Sequence, residues 1–345
     1  MKHGNPYGTH RVLEPQGVLP QPAWKLDNSM EIYDNEILID VRALNIDSAS
    51  FTQIKKEAGE EDARVREIVN GIVEKRGKHH NPVTGSGGML IGNVSQIGPA
   101  LQGKTDLVVG DRIATLVSLS LTPLKIDAIE RVHMHKDQID IRGQAILFET
   151  GLYARLPDDI DEKVALAILD VAGAPAQTAR LVQAGNTVVV IGGGGKSGTL
   201  CIYEAKKRVG PAGCVIGVSP FEKDCQRMRE LGWADITLQV DASDAVALMQ
   251  AVDSATSGRM ADVLINCVNI PNTEMGSILA TKERGKIYFF SMATSFTAAA
   301  LGAEGVGKDV EMIVGNGYAK DHAKFALHLL RESPKLRTLF ETLYV

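Results

Sequence analysis

Residues Asn186 to Thr199 read N-T-V-V-V-I-G-G-G-G-K-S-G-T. Four consecutive β-formers, Val188 to Ile191, run straight into glycines, as a buried parallel strand does. Gly193, Gly195 and Gly198 fit G-x-G-x-x-G, and the residues from Thr199 onward suit a helix. In a strand–turn–helix of this kind the first glycine permits the turn. The second lets backbone amides approach a pyrophosphate, and the third brings helix and strand together. The N-terminus of the helix then offers unpaired N–H groups and the positive end of its dipole to an anion. This stretch predicts a dinucleotide site.

Working outward, β-like and helix-like segments alternate on both sides of the motif. Strands are expected at Thr187–Ile191, Cys214–Val218, Ile236–Val240, Asp262–Cys267, Lys286–Ser291 and Val310–Val314. Helical stretches such as Glu222–Leu231 and Ala245–Ser254 lie between them. Alternation at this spacing gives βαβ units and a doubly wound parallel sheet of six strands. The preceding half differs. Residues 1–30 hold Pro6, Pro15, Pro20 and Pro22 and read as an extended arm. Glu36–Ala43 alternates like a half-buried strand, and Asn81–Gly98 is glycine-rich and β-prone, which suggests a small antiparallel barrel. Ser50–Lys78 is a charged insert expected to form a solvated helical face. The chain is therefore α/β, with a β-rich domain at 1–157, a dinucleotide-binding domain at 158–315 and a return segment at 316–345 expected to pack on the first domain.

Bulk properties narrow the function. A chain of 345 residues with 44% hydrophobic and 23% charged content has ample core for two domains. The net charge of −5 gives no basic field for nucleic acid. No apolar run approaches the roughly 20 residues of a membrane span, and the first ten residues carry no apolar signal core. Cys201, Cys214, Cys225 and Cys267 are scattered without C-x-x-C spacing, consistent with reduced thiols. A cytoplasmic protein is expected.

The stretches N-E-I-L-I-D-V-R-A-L-N-I-D (35–47), V-G-D-R-I-A, L-P-D-D-I-D-E-K-V-A-L-A, V-V-V-I-G-G-G-G-K-S-G and A-D-V-L-I-N-C-V-N resemble the medium-chain dehydrogenase/reductase superfamily over nearly the whole chain. That likeness implies a GroES-like catalytic domain beside the Rossmann domain, and a homodimer or homotetramer. Within it, the opening G-T-H-R-V-L-E-P-Q-G-V-L-P-Q-P-A-W-K-L-D-N and the loop K-H-H-N-P-V-T-G-S-G-G-M are similar to the diamino acid dehydrogenases of lysine fermentation. The implied reaction is oxidative deamination of a small diamino acid with release of ammonia. The zinc-dependent members place Cys, His and Cys ligands where this chain has Asn45, Ser86 and Val171. None of these residue types suits zinc, so a zinc-free branch is expected. His133-x-His135 and His79-His80 are weak metal motifs beside this.

The resemblance directs attention to loops 45–50, 79–88 and 149–171. Asp47 is the first candidate for an ammonium partner or base, with a turn-capping role as its alternative. His79 and His80 follow, because imidazole titrates near neutrality. Ser86, Glu149 and Asp170 complete the catalytic candidates, the last being a carboxylate inside the apolar run I-L-D-V-A-G, either buried with a partner or capping the following turn. Arg11, Lys25 and Arg142 remain open for the substrate carboxylate. For the cofactor, Gly193, Gly194, Gly195, Lys196, Ser197 and Gly198 form the loop, with Cys267 and Val268 at the end of the fourth strand. The second strand ends in Ser219 where NAD-specific folds hold an acid. With Lys223 and Arg227 nearby this leans to NADP(H), leaving NAD(H) open. A quinone or enoyl reductase and a silent nucleotide-binding redox sensor are the competing readings, since glycines place a cofactor and not a reaction.

Overall fold

The computed structural model describes residues 1–135, 137–290, 293–315 and 317–344, with no side-chain description at 48, 49 and 344. Contacts divide the chain into two compact units, Met1–Glu162 and Lys163–Val345.

In the first unit the arm forms a small antiparallel pair, β1 (Val12–Glu14) with β2 (Lys25–Leu26). Strand β3 (Glu36–Asn45) leads into helices α1 (Ser48–Glu57) and α2 (Asp62–Arg76). The strands β4 (Met89–Ile97), β5 (Arg112–Thr115), β6 (Leu124–His133), β7 (Gln138–Phe148) and β8 (Tyr153–Arg155) follow. They join β3 in an antiparallel sheet of order β6-β7-β3-β4-β5-β8. The charged insert is not merely a solvated face. Val65, Val69 and Val73 recur one helical turn apart on α2 and are buried in the same core as Ile39, Leu44 and Ile139. At roughly 1.5–3 kcal/mol per buried side chain, that stripe docks the helix firmly. Gly77, at φ 67°, ends α2 in the left-handed conformation that glycine adopts most easily.

The second unit opens with α3 (Glu162–Leu169) and α4 (Gly173–Leu181), then alternates. Its elements are β9 (Thr187–Ile191), α5 (Lys196–Val209), β10 (Cys214–Ser219), α6 (Glu222–Leu231), β11 (Ile236–Gln239), α7 (Ala245–Thr256), β12 (Ala261–Asn266), α8 (Glu274–Ala280), β13 (Thr281–Phe289), α9 (Phe296–Gly305) and β14 (Glu311–Val314). All six strands are parallel, in the order β11-β10-β9-β12-β13-β14. The order reverses between β9 and β12, so a crevice for ligand opens at their carboxyl ends. Strand β13 starts earlier than the expected Lys286, and Ser291 lies outside the described residues. Two last helices, α10 (His322–Glu332) and α11 (Pro334–Tyr344), belong to this unit, α10 packing on α4. Residues 316–345 fall in the second unit, with the apolar residues Ala326, Leu329 and Leu330 buried. No helix among the described residues is long and apolar enough to cross a membrane.

Candidate active site

The glycine loop sits where β9 delivers it. The positive φ falls on Gly192 (79°), one residue before the motif's first glycine, and its amide donates to the Val218 carbonyl at 2.8 Å. Three glycines beyond it are required by packing. A Cβ on Gly193 would meet Met228 Sδ at 2.5 Å and Ile202 Cδ1 at 2.6 Å, and one on Gly194 would meet Asp224 Cβ at 2.3 Å. One on Gly198 would strike the Gly192 carbonyl oxygen at 2.0 Å, so this glycine seats α5 on the loop. Gly195 differs. It is exposed, has φ −79°, and a Cβ there would come no closer than 3.4 Å to any neighbour. Nothing in the fold demands glycine at that point, and it caps α5 without a side-chain hydrogen bond. An open, uncapped helix N-terminus with no Cβ in front of it fits a pyrophosphate. Lys196 pairs with Asp170 at 2.8 Å, and Ser197 is buried. Cys267 and Val268 flank the loop, with Val268 Cγ1 2.6 Å from the Cβ position of Gly192.

At the end of β10, Ser219 is buried and donates its hydroxyl to Asp224 Oδ2 at 3.0 Å. Arg227 donates from Nη1 to the Gly194 carbonyl at 2.7 Å and lies 3.4 Å from Asp224 Oδ1. Lys223 is exposed on α6. The corner expected to welcome a 2′-phosphate therefore presents a carboxylate, with Ser219 engaged and Arg227 partly neutralised.

In the first unit, Asp47 is exposed at the N-cap of α1, where its carbonyl accepts the Phe51 amide at 2.9 Å. Its carboxylate makes no capping bond, so the side chain is left to other work. Ser86 joins a hydroxyl cluster that sequence reasoning missed: Ser50 Oγ lies 2.5 Å from Thr84 Oγ1 and 2.6 Å from Ser86 Oγ. Asn81 braces it, its amide nitrogen 3.4 Å from the Ser50 carbonyl and 2.8 Å from Gln53 Oε1, which it donates to. The repeated small hydroxyls of S-A-S (48–50) and T-G-S (84–86) were the available signal.

The histidines do not serve as expected. His79 is fully buried, with Nδ1 3.2 Å from the Gly87 carbonyl and Nε2 without a hydrogen-bond partner. Burial holds it down to about 4, the Gly87 bond opposing this, so it stays neutral near pH 7. His80 is also brought down to about 4, first by burial and then by Arg76 and Lys78. Glu149 is displaced further. Antiparallel pairing sets Phe148 opposite Glu36 and Gln138 opposite Asn45, so Glu149 lies at the far end of β3 from Asp47. The ten residues of β3 separate those ends by roughly 30 Å. Glu149 instead accepts from Asn35 at 3.0 Å. Asp170 is exposed rather than buried, because α3 ends just before it. Arg11 is lost as a carboxylate anchor: it is completely buried, binds both oxygens of Glu36 at 2.9 and 2.6 Å, and donates to the carbonyls of Ser29 and Glu31. Lys25 and Arg142 are exposed on β2 and β7.

Among the described residues no group of three or more His, Cys, Asp or Glu side chains could hold a metal ion. His133 is taken by Asp140 at 2.7 Å, and Asn45 and Ser86 offer poor zinc donors.

Against this geometry, known proteins are informative. The family model for the L-erythro-3,5-diaminohexanoate dehydrogenase N-terminal domain matches residues 10–157. The L-erythro-3,5-diaminohexanoate dehydrogenase of Acetoanaerobium sticklandii is 58% identical over 342 residues, 99% of each chain. That of Fusobacterium nucleatum is 59% identical over 345 residues, the whole of each chain. Among solved structures, mycobacterial Rv1454c complexed with NADPH is similar with a TM-score of 0.55 at 18% identity, covering 86% of this chain and 80% of that one. At that identity the likeness concerns the fold alone.

Proposed function

The chain belongs to the L-erythro-3,5-diaminohexanoate dehydrogenase family, and from that membership we propose that it catalyses the NAD(P)-dependent oxidative deamination of L-erythro-3,5-diaminohexanoate to 5-amino-3-oxohexanoate and ammonia. The observation that carries the reading is identity near 58% along the full length of two dehydrogenases of that name.

The open Gly195 and the uncapped start of α5 would hold a nicotinamide dinucleotide, which supplies the hydride acceptor when bound. Asp224 at the ribose corner accepts hydrogen bonds from a free diol and repels a 2′-phosphate, which favours NAD(H) over the NADP(H) expected from Ser219, Lys223 and Arg227. In the first unit, Asp47 supplies an exposed carboxylate for an ammonium group of the substrate. The Ser50–Ser86–Thr84 hydroxyls orient the reacting amine and pass on its proton. Loss of that proton, and of hydride from the carbon bearing the amine, leaves an iminium. Water adds to it, and ammonia departs to give the ketone. No step is routed through zinc. The edge strand β14, which among the described residues pairs only with β13, is the surface through which two copies would associate.

The test is reduction of NAD+ and of NADP+ by the purified protein with L-erythro-3,5-diaminohexanoate, with ammonia measured in parallel. Turnover with stoichiometric ammonia supports the assignment. Cofactor binding with neither product would refute it.

A further inference from the structure

Two buried cations lie where α2 gives way to the loop before β4. Arg76 is 7% exposed and Lys78 fully buried, and neither meets a carboxylate among the described residues. Lys78 donates only to the carbonyls of Pro20 and Gln21, at 2.7 and 2.9 Å. Arg76 stacks on Trp24, 4.5 Å from the ring centroid, and donates to the carbonyls of Trp24 and His80 and to His80 Nδ1. Those three bonds leave two of its five N–H donors unspent. Burial lowers the pKa of both residues, and the nearby charge of Arg76 lowers Lys78 further. Arg76 is thus a buried guanidinium bonded to carbonyls and an imidazole, and an anion would complete its partners.

Arg76 also lines a cavity of about 380 Å³, within the size range of small-ligand sites. Trp24, Glu57, Glu67, Gly71 and Lys75 share the wall. The two glutamates are engaged only at the surface, Glu57 by Gln53 and Glu67 by Arg64. Gly71 is the informative residue. Glycine in a helix interior weakens the helix, and a Cβ at Gly71 would meet nothing within 4 Å. Packing gives no reason for it, whereas the cavity does.

We propose that this cavity is a second binding site, for a small amino acid carrying both carboxylate and ammonium groups. The carboxylate takes the two free donors of Arg76 with Lys75 beside it, and the ammonium groups face Glu57 and Glu67. The proposal rests on the cavity and does not depend on the reaction assigned above.

L-lysine, acetate and inorganic phosphate serve as probes, with binding followed by calorimetry and by the chemical shifts of labelled His80. Burial is the main cause of the low His80 pKa and the Arg76 charge the second, so an anion on Arg76 removes part of the shift and the pKa rises when L-lysine binds. Lys75→Gln and Glu67→Gln, both at exposed positions, should each weaken L-lysine about tenfold. Gly71→Leu fills the space while improving the helix, so it should abolish binding in a protein that folds at least as well. Absence of both heat and a His80 shift with wild-type protein overturns the site. Undiminished binding by the Gly71 variant does the same. Phosphate or acetate binding as tightly as L-lysine overturns the amino acid as its ligand.

Discussion

Ser219 spends its hydroxyl proton on Asp224, a residue five positions along the chain that also fills the space a side chain on Gly194 would need. This contact turns a neutral strand end into an acidic corner. Replacing Asp224 with Ala frees Ser219 and Arg227 for a 2′-phosphate. The ratio of kcat/KM for NADP+ to that for NAD+ should rise by about tenfold to a hundredfold, the effect of gaining a charge-assisted contact while losing a repulsion. Steady-state kinetics with both cofactors measure it, and an unchanged ratio would show that Asp224 does not face the ribose.

Gly195 and Gly198 separate ligand binding from folding. Gly198→Ala drives a methyl into the Gly192 carbonyl and should cost about 1–3 kcal/mol, the range of overpacked cores, visible as a clear fall in Tm. Gly195→Ala meets only ordinary contact at 3.4 Å, so its Tm should stay close to that of the wild type. Its cofactor affinity should nevertheless drop at least about tenfold, because the methyl occupies the approach of the pyrophosphate. Equal affinity in that variant, read by fluorescence titration of the reduced cofactor, would remove the loop from the binding site.

These two glycines also show how far the sequence could be read. The run Thr187–Ile191 followed by glycines dictated strand, turn and helix, because buried parallel strands and tight turns leave few alternatives. The six strands emerged from the same local alternation. What escaped were relationships between distant positions. Glu149 was grouped with Asp47 until the antiparallel register set it at the far end of β3. Arg11 looked free until Glu36, far along the chain, was found to bind both arms of its guanidinium. The Ser50–Ser86 contact joins a helix start to a loop, and no local pattern encodes that closure. The valine stripe of α2 was readable and was outweighed by the charges around it.

Acid should destabilise the protein in two stages. His79 is neutral when folded, at about 4 against an ordinary 6.5, so the unfolded chain binds the extra proton first. Stability is therefore lost as pH falls from about 6.5 to 4. Glu36 works over a lower window. Burial would raise it, but bonds from His10, Arg11 and the Tyr33 amide prevail and hold it at about 2 against 4.5. Its contribution is complete above pH 4.5 and is lost as pH falls through about 2. Glu36→Gln leaves buried Arg11 only its longer ion pair with Asp27, at 3.5 Å, and should cost about 3 kcal/mol at neutral pH. Urea unfolding across the pH range tests both stages, and histidine NMR should show no titration of His79 between about pH 5 and 8. A His79 titration in that interval would contradict its burial.

The hydroxyl cluster makes the sharpest demand on the mechanism. If Ser50 and Ser86 act as one proton path, removing either hydroxyl breaks the whole path. Ser86→Ala and Ser50→Ala should each lower kcat by about a hundredfold, the lower range for a lost acid–base group, with little change in KM. The double variant should then be scarcely worse than either single one, since residues in one network do not contribute additively. Thr84→Val tests the side branch. It keeps the shape and removes the hydroxyl 2.5 Å from Ser50, so kcat should fall here too, though less than in the serine variants because the Ser50–Ser86 contact remains. A solvent isotope effect on kcat that is present in the wild type and changed in the serine variants would mark proton movement through them. Simple multiplication of the two single effects would show that Ser50 and Ser86 act separately, and that the 2.6 Å contact between them only positions the loop.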